Sequence, residues 1–313
     1  MSIGVGIHRG VSPERYHRDE CERPALSSSI ACELVSRSPR HAWLRHPRLG
    51  GVQSESTGTM DMGTLLHSLV LGIGKPVVIV EADDWRTKAA KEAREHAREN
   101  GAVAILKPHL LAAEARAKAV RFELARRGIR LDGDKEAVLV WEETASNGAK
   151  VLCRAQLDHV NVATGQIDDL KFSADASPAA CQRRMVDMGY DIQDAAYRSA
   201  LAHLCPELAG RVRFRFLVCE EDTDLLAIIQ CGAALREVGE RRWRRAVNRW
   251  AHCLATNCWP GYGDEPFVLD ARPFEIAREL EAAEEDDSEP PSSAPTPPST
   301  AIDHQDYSND QLF

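Results

Sequence analysis

The middle of the chain carries the plainest pattern of apolar and polar positions. An apolar run in AVLVWEE and alternating positions in KVLCRAQLDHVNV and QIDDLKFS predict strands at Ala137–Glu143, Lys150–Val162 and Gln166–Ser173. Thr164-Gly165 is the natural turn between the last two. With that pair as a two-residue turn, or as the centre of a four-residue one, Asp158 lies opposite Lys171 and Val160 opposite Asp169. Asp158, Asp169 and Lys171 then share one face, while Ala155, Leu157, Leu170 and Phe172 share the other. A one-residue slip would drive the charges into the core, which supports this parity.

Apolar positions at helical spacing predict helices at Ser29–Ser36, Asp61–Leu71, Trp85–Glu99 and Lys107–Arg127 before these strands. Gly72 is a C-cap for the second. After the strands come helices at Pro178–Met188 and Ile192–His203, strands at Val212–Cys219 and Leu225–Ile229, and a long helix at Ala233–Ala255. The order implies an α/β fold, a mixed central sheet flanked by helices. The expected layout is a helical amino-terminal part (1–130), a sheet core (131–275) and an acidic, proline-rich, unstructured tail (276–313).

Composition adds limits. At 313 residues there is ample length for a buried core, as one large domain or two small ones, and 43% hydrophobic with 28% charged residues is ordinary for a soluble protein. No apolar stretch is long enough to cross a bilayer and MSIGVGIHRG lacks the apolar core of a signal peptide, so a cytoplasmic protein without membrane contact is expected. Nine cysteines without a CxxC pair are then expected to be reduced and mostly buried. The net charge of −9 is concentrated towards the tail. Within the body, Arg211, Arg213 and Arg215 alternate with Val212, Phe214 and Phe216, and RRWRRAVNRW mixes arginine with tryptophan on a helix. Trp243 and Trp250 are expected to be buried, leaving the arginines for DNA or an adjacent subunit.

Two carboxylates and a lysine on one face suit a hard divalent cation that cuts phosphodiesters, since in-line displacement needs a water-derived nucleophile and charge stabilisation. Asp158, Asp169 and the Leu170 carbonyl would be oxygen ligands. Lys171 would orient or deprotonate the attacking water, or stabilise developing charge. Taken alone, the trio reads first as a solvated cross-strand ion pair worth about 0.2–1 kcal/mol. Likewise, His67 alone among leucines reads as a core histidine, and Gln193 and Tyr197, four apart, as a helix packing pair with Asp191 as N-cap.

The ordered set changes that reading. GTLLHSLVLG with His67, CRAQLDHV with Asp158, DLK with Asp169, Leu170 and Lys171, and GYDIQDAAY with Gln193 and Tyr197 resemble the PD-(D/E)xK nuclease superfamily. Within it the RecB-like branch and its RecE-type (exonuclease VIII-like) prophage exonucleases are nearest; the opening YH…ALSSS followed by SPRH adds to the likeness, which runs to about Trp259 and Tyr262. The carboxylate before the lysine is Asp169 rather than Glu, as in many RecB-like members. The resemblance implies a restriction-endonuclease-like core and Mg²⁺ or Mn²⁺, as two ions, held by His67, Asp158, Asp169 and Leu170. It further implies catalysis by Lys171 with both aspartates, and DNA contact by Gln193 and Tyr197. It also implies exonucleolytic, 5′→3′ degradation of linear duplex DNA by a ring of copies that passes the exposed strand to a RecT-like annealing protein in phage-type recombination.

Further expectations are lesser. Glu142 is a possible additional carboxylate. Ser27 to Ser29 cap a helix or hold a 5′ phosphate. No iron-sulfur cluster is expected from Cys21, Cys32, Cys253 and Cys258, whose spacing is too wide. The terminal SNDQLF could dock a partner. Two alternatives stay open, a RecB-like endonuclease or single-strand nuclease, and a non-catalytic DNA-binding scaffold.

Overall fold

The computed structural model describes residues 2–52, 58–221, 223 and 225–288, and for 58–61 and 285–288 the backbone only. It divides into two units, Met1–Tyr262 and Gly263–Phe313. In the first, the elements in order are β1 (Gly6–His8), α1 (Pro13–His17), α2 (Ser28–Ser36), α3 (Pro39–Arg45), α4 (Gly58–Leu71), β2 (Val77–Val80), α5 (Lys88–Glu99), β3 (Val103–Leu106) and α6 (Lys107–Arg126). They continue as β4 (Asp134–Thr144), β5 (Lys150–Asn161), β6 (Gln166–Ser173), α7 (Pro178–Asp187), α8 (Tyr190–Leu204), β7 (Arg213–Glu220), β8 (Leu226–Ile229) and α9 (Ala233–Thr256). No helix among the described residues is long and apolar enough to cross a membrane.

The central sheet has six strands in the order β1-β4-β5-β6-β7-β8. Only β6 and β7 run parallel. A parallel pair needs a long crossover, and α7 and α8 supply it, which places α8 on one face of the sheet. That face holds the main core, where Leu34 of α2, Ala196 and Leu201 of α8 and Trp243 and Trp250 of α9 meet Trp141, Leu157, Ile167 and Phe216. On the other face, Val70 and Leu71 of α4 and Val120 and Leu124 of α6 cover Leu170, Leu217 and Cys219. The mixed sheet between helices is the one expected, and Trp243 and Trp250 are buried as expected.

The amino-terminal part departs from the helical expectation. It adds β1 to the main sheet and forms a small parallel sheet from β2 and β3, with α5 as the crossover. These short apolar segments lack the length for a helix, and each pairs with a strand remote in sequence. The segment before α2 is tied down by Asp19, which is fully buried: its carboxylate pairs with Arg154 (2.9 Å) and His46 (3.2 Å) and accepts from the Ala25 N–H (2.9 Å). That anchor lets Leu26 dock on β5, its N–H donating to Leu152 O (2.8 Å) and its carbonyl accepting from Arg154 N (3.0 Å).

In the second unit, the expected unstructured tail (276–313) is replaced over its first part by α10, Pro273–Ser288; residues 289–313, SNDQLF among them, lie outside the described residues. Proline at the first helical position and the good helix formers of EIARELEAAEE outweigh the local acidity. All nine cysteines are free, and all but Cys32 and Cys258 are buried.

The α8–α9 contact fixes α8 against the sheet. Asp191, expected to be an N-cap, lies inside α8; Gly189 with φ +72° precedes the helix instead, and Asp191 is buried against the Arg242 guanidinium (2.7 Å). Gly239 of α9 meets the Asp191 carbonyl so closely that a Cβ there would collide with backbone. Gly239→Ala should therefore lower stability by about 1–3 kcal/mol, visible as a fall in Tm. Asp194, one turn along, is 2% exposed, and burial raises its pKa from 3.8 to about 6, with Arg198 and Arg236 pulling it back. The folded state thus binds this proton more tightly than the unfolded chain. Stability is lost as pH rises from about 4 to about 6 and stays lost above. Asp194→Asn should raise stability at pH 7.5, by on the order of 1–3 kcal/mol, and change it little at pH 4, measured by denaturant melts at both.

Candidate active site

The site forms where the sheet parts. The β5–β6 ladder holds only three pairs, His159↔Asp168, Val160↔Ile167 and Asn161↔Gln166. Before His159, β5 takes other partners: Leu26 at Leu152 and Arg154, and the Tyr197 hydroxyl, which donates to Gln156 O (3.1 Å). After Asp168, β6 pairs with β7 alone. Asp158 and Asp169 are thus the first residues past the ladder. The Asp158 carboxylate bridges the opening by accepting from the Leu170 N–H (2.7 Å).

This register differs from the expected one. The turn spans Val162 to Gly165, with Gly165 at φ +68°, so the pairing is shifted by two residues and Asp158 is not opposite Lys171. Asp169 and Lys171, two apart on β6, share a face whatever the register. They point towards α8: Gln193 Nε2 donates to Asp169 Oδ1 (2.6 Å), and Lys171 Nζ lies 5.1 Å from the Tyr190 ring centre. The expected shared apolar face does not form. Ala155 and Leu157 pack in the main core, whereas Leu170 and Phe172 pack beneath α4 and α6. Leu157 and Val160, three apart, both reach the main core, so strict alternation in β5 breaks at Asp158 and His159.

The neighbouring strand breaks at the same level. The β4–β5 ladder runs through Lys135↔His159 and resumes at Ala137↔Leu157, omitting Glu136 and Asp158. Glu136 has φ +51°, a left-handed backbone that costs on the order of 1 kcal/mol in a residue with a side chain. The rotation brings its carboxylate among those of the site: ligand atoms of His67, Glu136 and Asp158 lie within 4.8 Å of one another. His67 comes from α4, whose end is fixed by Gly72 (φ +71°) as expected. Its Nε2–H donates to Leu170 O (3.0 Å), its Nδ1 is 3.7 Å from Asp158 Oδ2, and its ring meets Phe172 edge-on.

The electrostatics follow from crowding acids in a half-buried place. Glu136 is pushed up to about 7, first by burial and then by Asp158. Asp169 is raised to about 6 by burial; Lys171 pulls it back and Asp158 pushes it up again. Burial disfavours the Lys171 ammonium, but Asp169 and Asp158 more than compensate and its pKa rises. The amine is therefore charged at neutral pH, paired with Asp169 Oδ2.

This donor set fits a hard divalent cation, since one imidazole and two mutually repelling carboxylates gather on one point and a cation would relieve the repulsion. Asp169 lies outside that group, its oxygens held by Gln193 and Lys171, and Leu170 O is engaged by His67. Gln193 and Tyr197 spend their polar groups on Asp169 and β5, and Tyr197 is buried. Glu142 stands elsewhere, paired with Arg23 (2.5 Å). Ser27 caps α2 by accepting from Ile30 N (3.3 Å). Glu136 was missed, although a hairpin centred on Asn147 sets it level with Asp158, a signal available in the sequence. A cleft of ~750 Å³ opens over the group, lined by His17, His67, Lys75, Glu136, Gln156 and Lys171 among others. Burial and the neighbouring Lys75 hold the His17 pKa down.

Residues 35–268 match the family described as a PDDEXK-like domain of unknown function (DUF3799). Among solved structures, the chain is similar to a "Putative exonuclease" from Eubacterium rectale, with TM-score 0.55 and 12% identity, covering 86% of this chain and 98% of that one. At that identity the likeness speaks to fold alone. A phage related exonuclease from Haemophilus somnus is 18% identical over 61% of this chain and 94% of its own, with a TM-score of 0.26 that is too low to bear on the fold. No curated protein matches the chain.

Replacing Glu136 with Gln should weaken Mn²⁺ binding at least ~10-fold in calorimetric titration of the folded protein, whereas Glu142→Gln should leave it unchanged.

Proposed function

The chain belongs to the family of PDDEXK-like domains of unknown function, and on that footing we propose that it is a divalent-cation-dependent exodeoxyribonuclease that shortens linear duplex DNA. The observation that carries the reading is the convergence of His67, Glu136 and Asp158 beside the Asp169–Lys171 pair, where His67, Glu136 and Lys171 line an open cleft. Nothing in folding asks for two elevated carboxylates, an unpaired strand level and a left-handed glutamate at one place; binding a cation gives each a use.

His67, Glu136 and Asp158 would hold Mg²⁺ or Mn²⁺, with Asp169 beside them. Such an ion supplies Lewis acidity at a phosphoryl oxygen and acidifies water. The chain's own groups do the rest. Lys171, whose charged form its two aspartates favour, stabilises negative charge building on the phosphate and orients a nucleophile. Gln193 fixes Asp169, and Asp169 in turn fixes the Lys171 amine. Tyr197 holds β5 at Gln156, keeping the opening beside Asp158 from closing. Lys75 and His17 at the cleft wall are placed to meet a phosphodiester backbone.

The resemblance extends the proposal to 5′→3′ polarity, a ring of several copies, and transfer of the exposed strand to an annealing protein in phage-type recombination. Purified full-length chain with Mg²⁺ should shorten end-labelled linear duplex and spare a closed circle. Lys171→Ala should reduce the rate by about 10³-fold or more without changing Tm or circular dichroism. Undiminished cleavage in that variant overturns the assigned mechanism, and nicking of circles at the linear rate replaces the exonuclease reading with an endonuclease.

A further inference from the structure

A second groove lies on the other side of α8. The residues of α8 that face the candidate site are Gln193 and Tyr197, whereas Ala195, Arg198, Ser199 and Ala202 line a groove of ~760 Å³ shared with α9. On α9 the groove is lined by Arg241, Arg244, Arg245, Asn248 and Arg249, one stripe at helical spacing, with Glu237 and Glu240 at its amino-terminal end and an edge of Trp243 beneath. The opposite stripe, Trp243, Ala246, Val247, Trp250 and Ala251, is buried in the core. The arginines thus have one orientation open to them, and their guanidinium groups form a row about 12 Å long.

The charge in this row is not balanced. Arg198 pairs with Glu240 (3.3 Å) and with the buried Asp194 (3.9 Å), Arg241 with Glu237 (2.6 Å), and Arg244 with the buried Glu143 (3.4 Å). Arg249 gives its N–H to the Leu34 carbonyl, and Arg245 makes no hydrogen bond or ion pair among the described residues. Five guanidinium groups therefore face four carboxylates, two of which, Asp194 and Glu143, lie beneath the surface, in a chain whose net charge is −9. A cationic groove within an acidic protein calls for an anionic ligand. Repeating planar guanidinium forks at one-turn intervals match a chain of phosphates better than scattered carboxylates.

We infer that the α8–α9 groove is a second nucleic-acid site, which holds a single strand by its phosphodiester backbone apart from the hydrolytic cleft. The inference takes its class of ligand from the nuclease reading above, but its test needs neither cation nor turnover, so either can fail without the other. In EDTA, binding of a fluorescein-labelled 20-mer oligothymidylate to the full chain is followed by anisotropy across a sodium chloride series. Arg241→Gln with Arg245→Gln should weaken binding by about tenfold at low salt and make the log K against log[salt] slope shallower by about one. The Arg241→Lys with Arg245→Lys protein, which keeps the charge, should retain most of the slope and controls for folding alongside melting curves. Equal affinity and slope in the folded glutamine variant overturns the inference. Displacement of the oligonucleotide by polyglutamate at the same charge concentration overturns it too, since the groove would then take any polyanion.

Discussion

Everything at the candidate site depends on β5 and β6 ceasing to pair after three residues. A continuous ladder would commit the backbone of Leu170 to β5 and leave no place for a carboxylate between the strands. Because the strands part, the Leu170 N–H is free to receive Asp158 and the Leu170 carbonyl to receive His67. A single residue of β6 thus orders two of the three candidate ligands. Of the backbone groups released on β5, Leu152 O and Arg154 N are taken up by Leu26 and Gln156 O by Tyr197. This satisfies the general demand that buried N–H and C=O groups find partners.

The cost of the arrangement is electrostatic. Glu136, Asp158 and Asp169 are brought together with one lysine, and Glu136 and Asp169 hold their protons to higher pH, chiefly through burial. The body of the protein handles charge differently elsewhere. Asp168 is buried yet kept ionised, because His159 and Arg215 both donate to it and lower its pKa against the burial penalty. Glu143, also buried, accepts from Trp141, Trp243 and Ser199 and stays low for the same reason. The contrast between these satisfied carboxylates and the strained set at the sheet opening separates structural acids from those with a proposed task.

Much of this was legible in the sequence. Apolar alternation located β4, β5 and β6, and the helical spacing located α2, α4 and α6 to α9 within a few residues. Asp169 and Lys171, two apart on β6, share a face as expected even though the turn sits one residue earlier and the pairing is shifted by two. Asp158, in contrast, reaches them through an opening rather than a shared face, and that opening depends on Leu26, whose pairing with β5 leaves no local pattern. Glu136 escaped notice because its role requires a left-handed backbone, which periodicity does not report. The small β2–β3 sheet and β1 escaped because short apolar runs acquire strand character only from distant partners.

The docking of Leu26 on β5 also sets an order of assembly. The amino-terminal segment leaves the ribosome long before the strand it must complete, and Asp19 waits for Arg154 across well over a hundred residues. Such non-local closure is slow, so the edge of the cleft belongs to the late stage of folding. A nascent chain halted before β5 would carry the α4 histidine but neither Asp158 nor a cleft, so the candidate ligands come together only once the sheet is nearly whole.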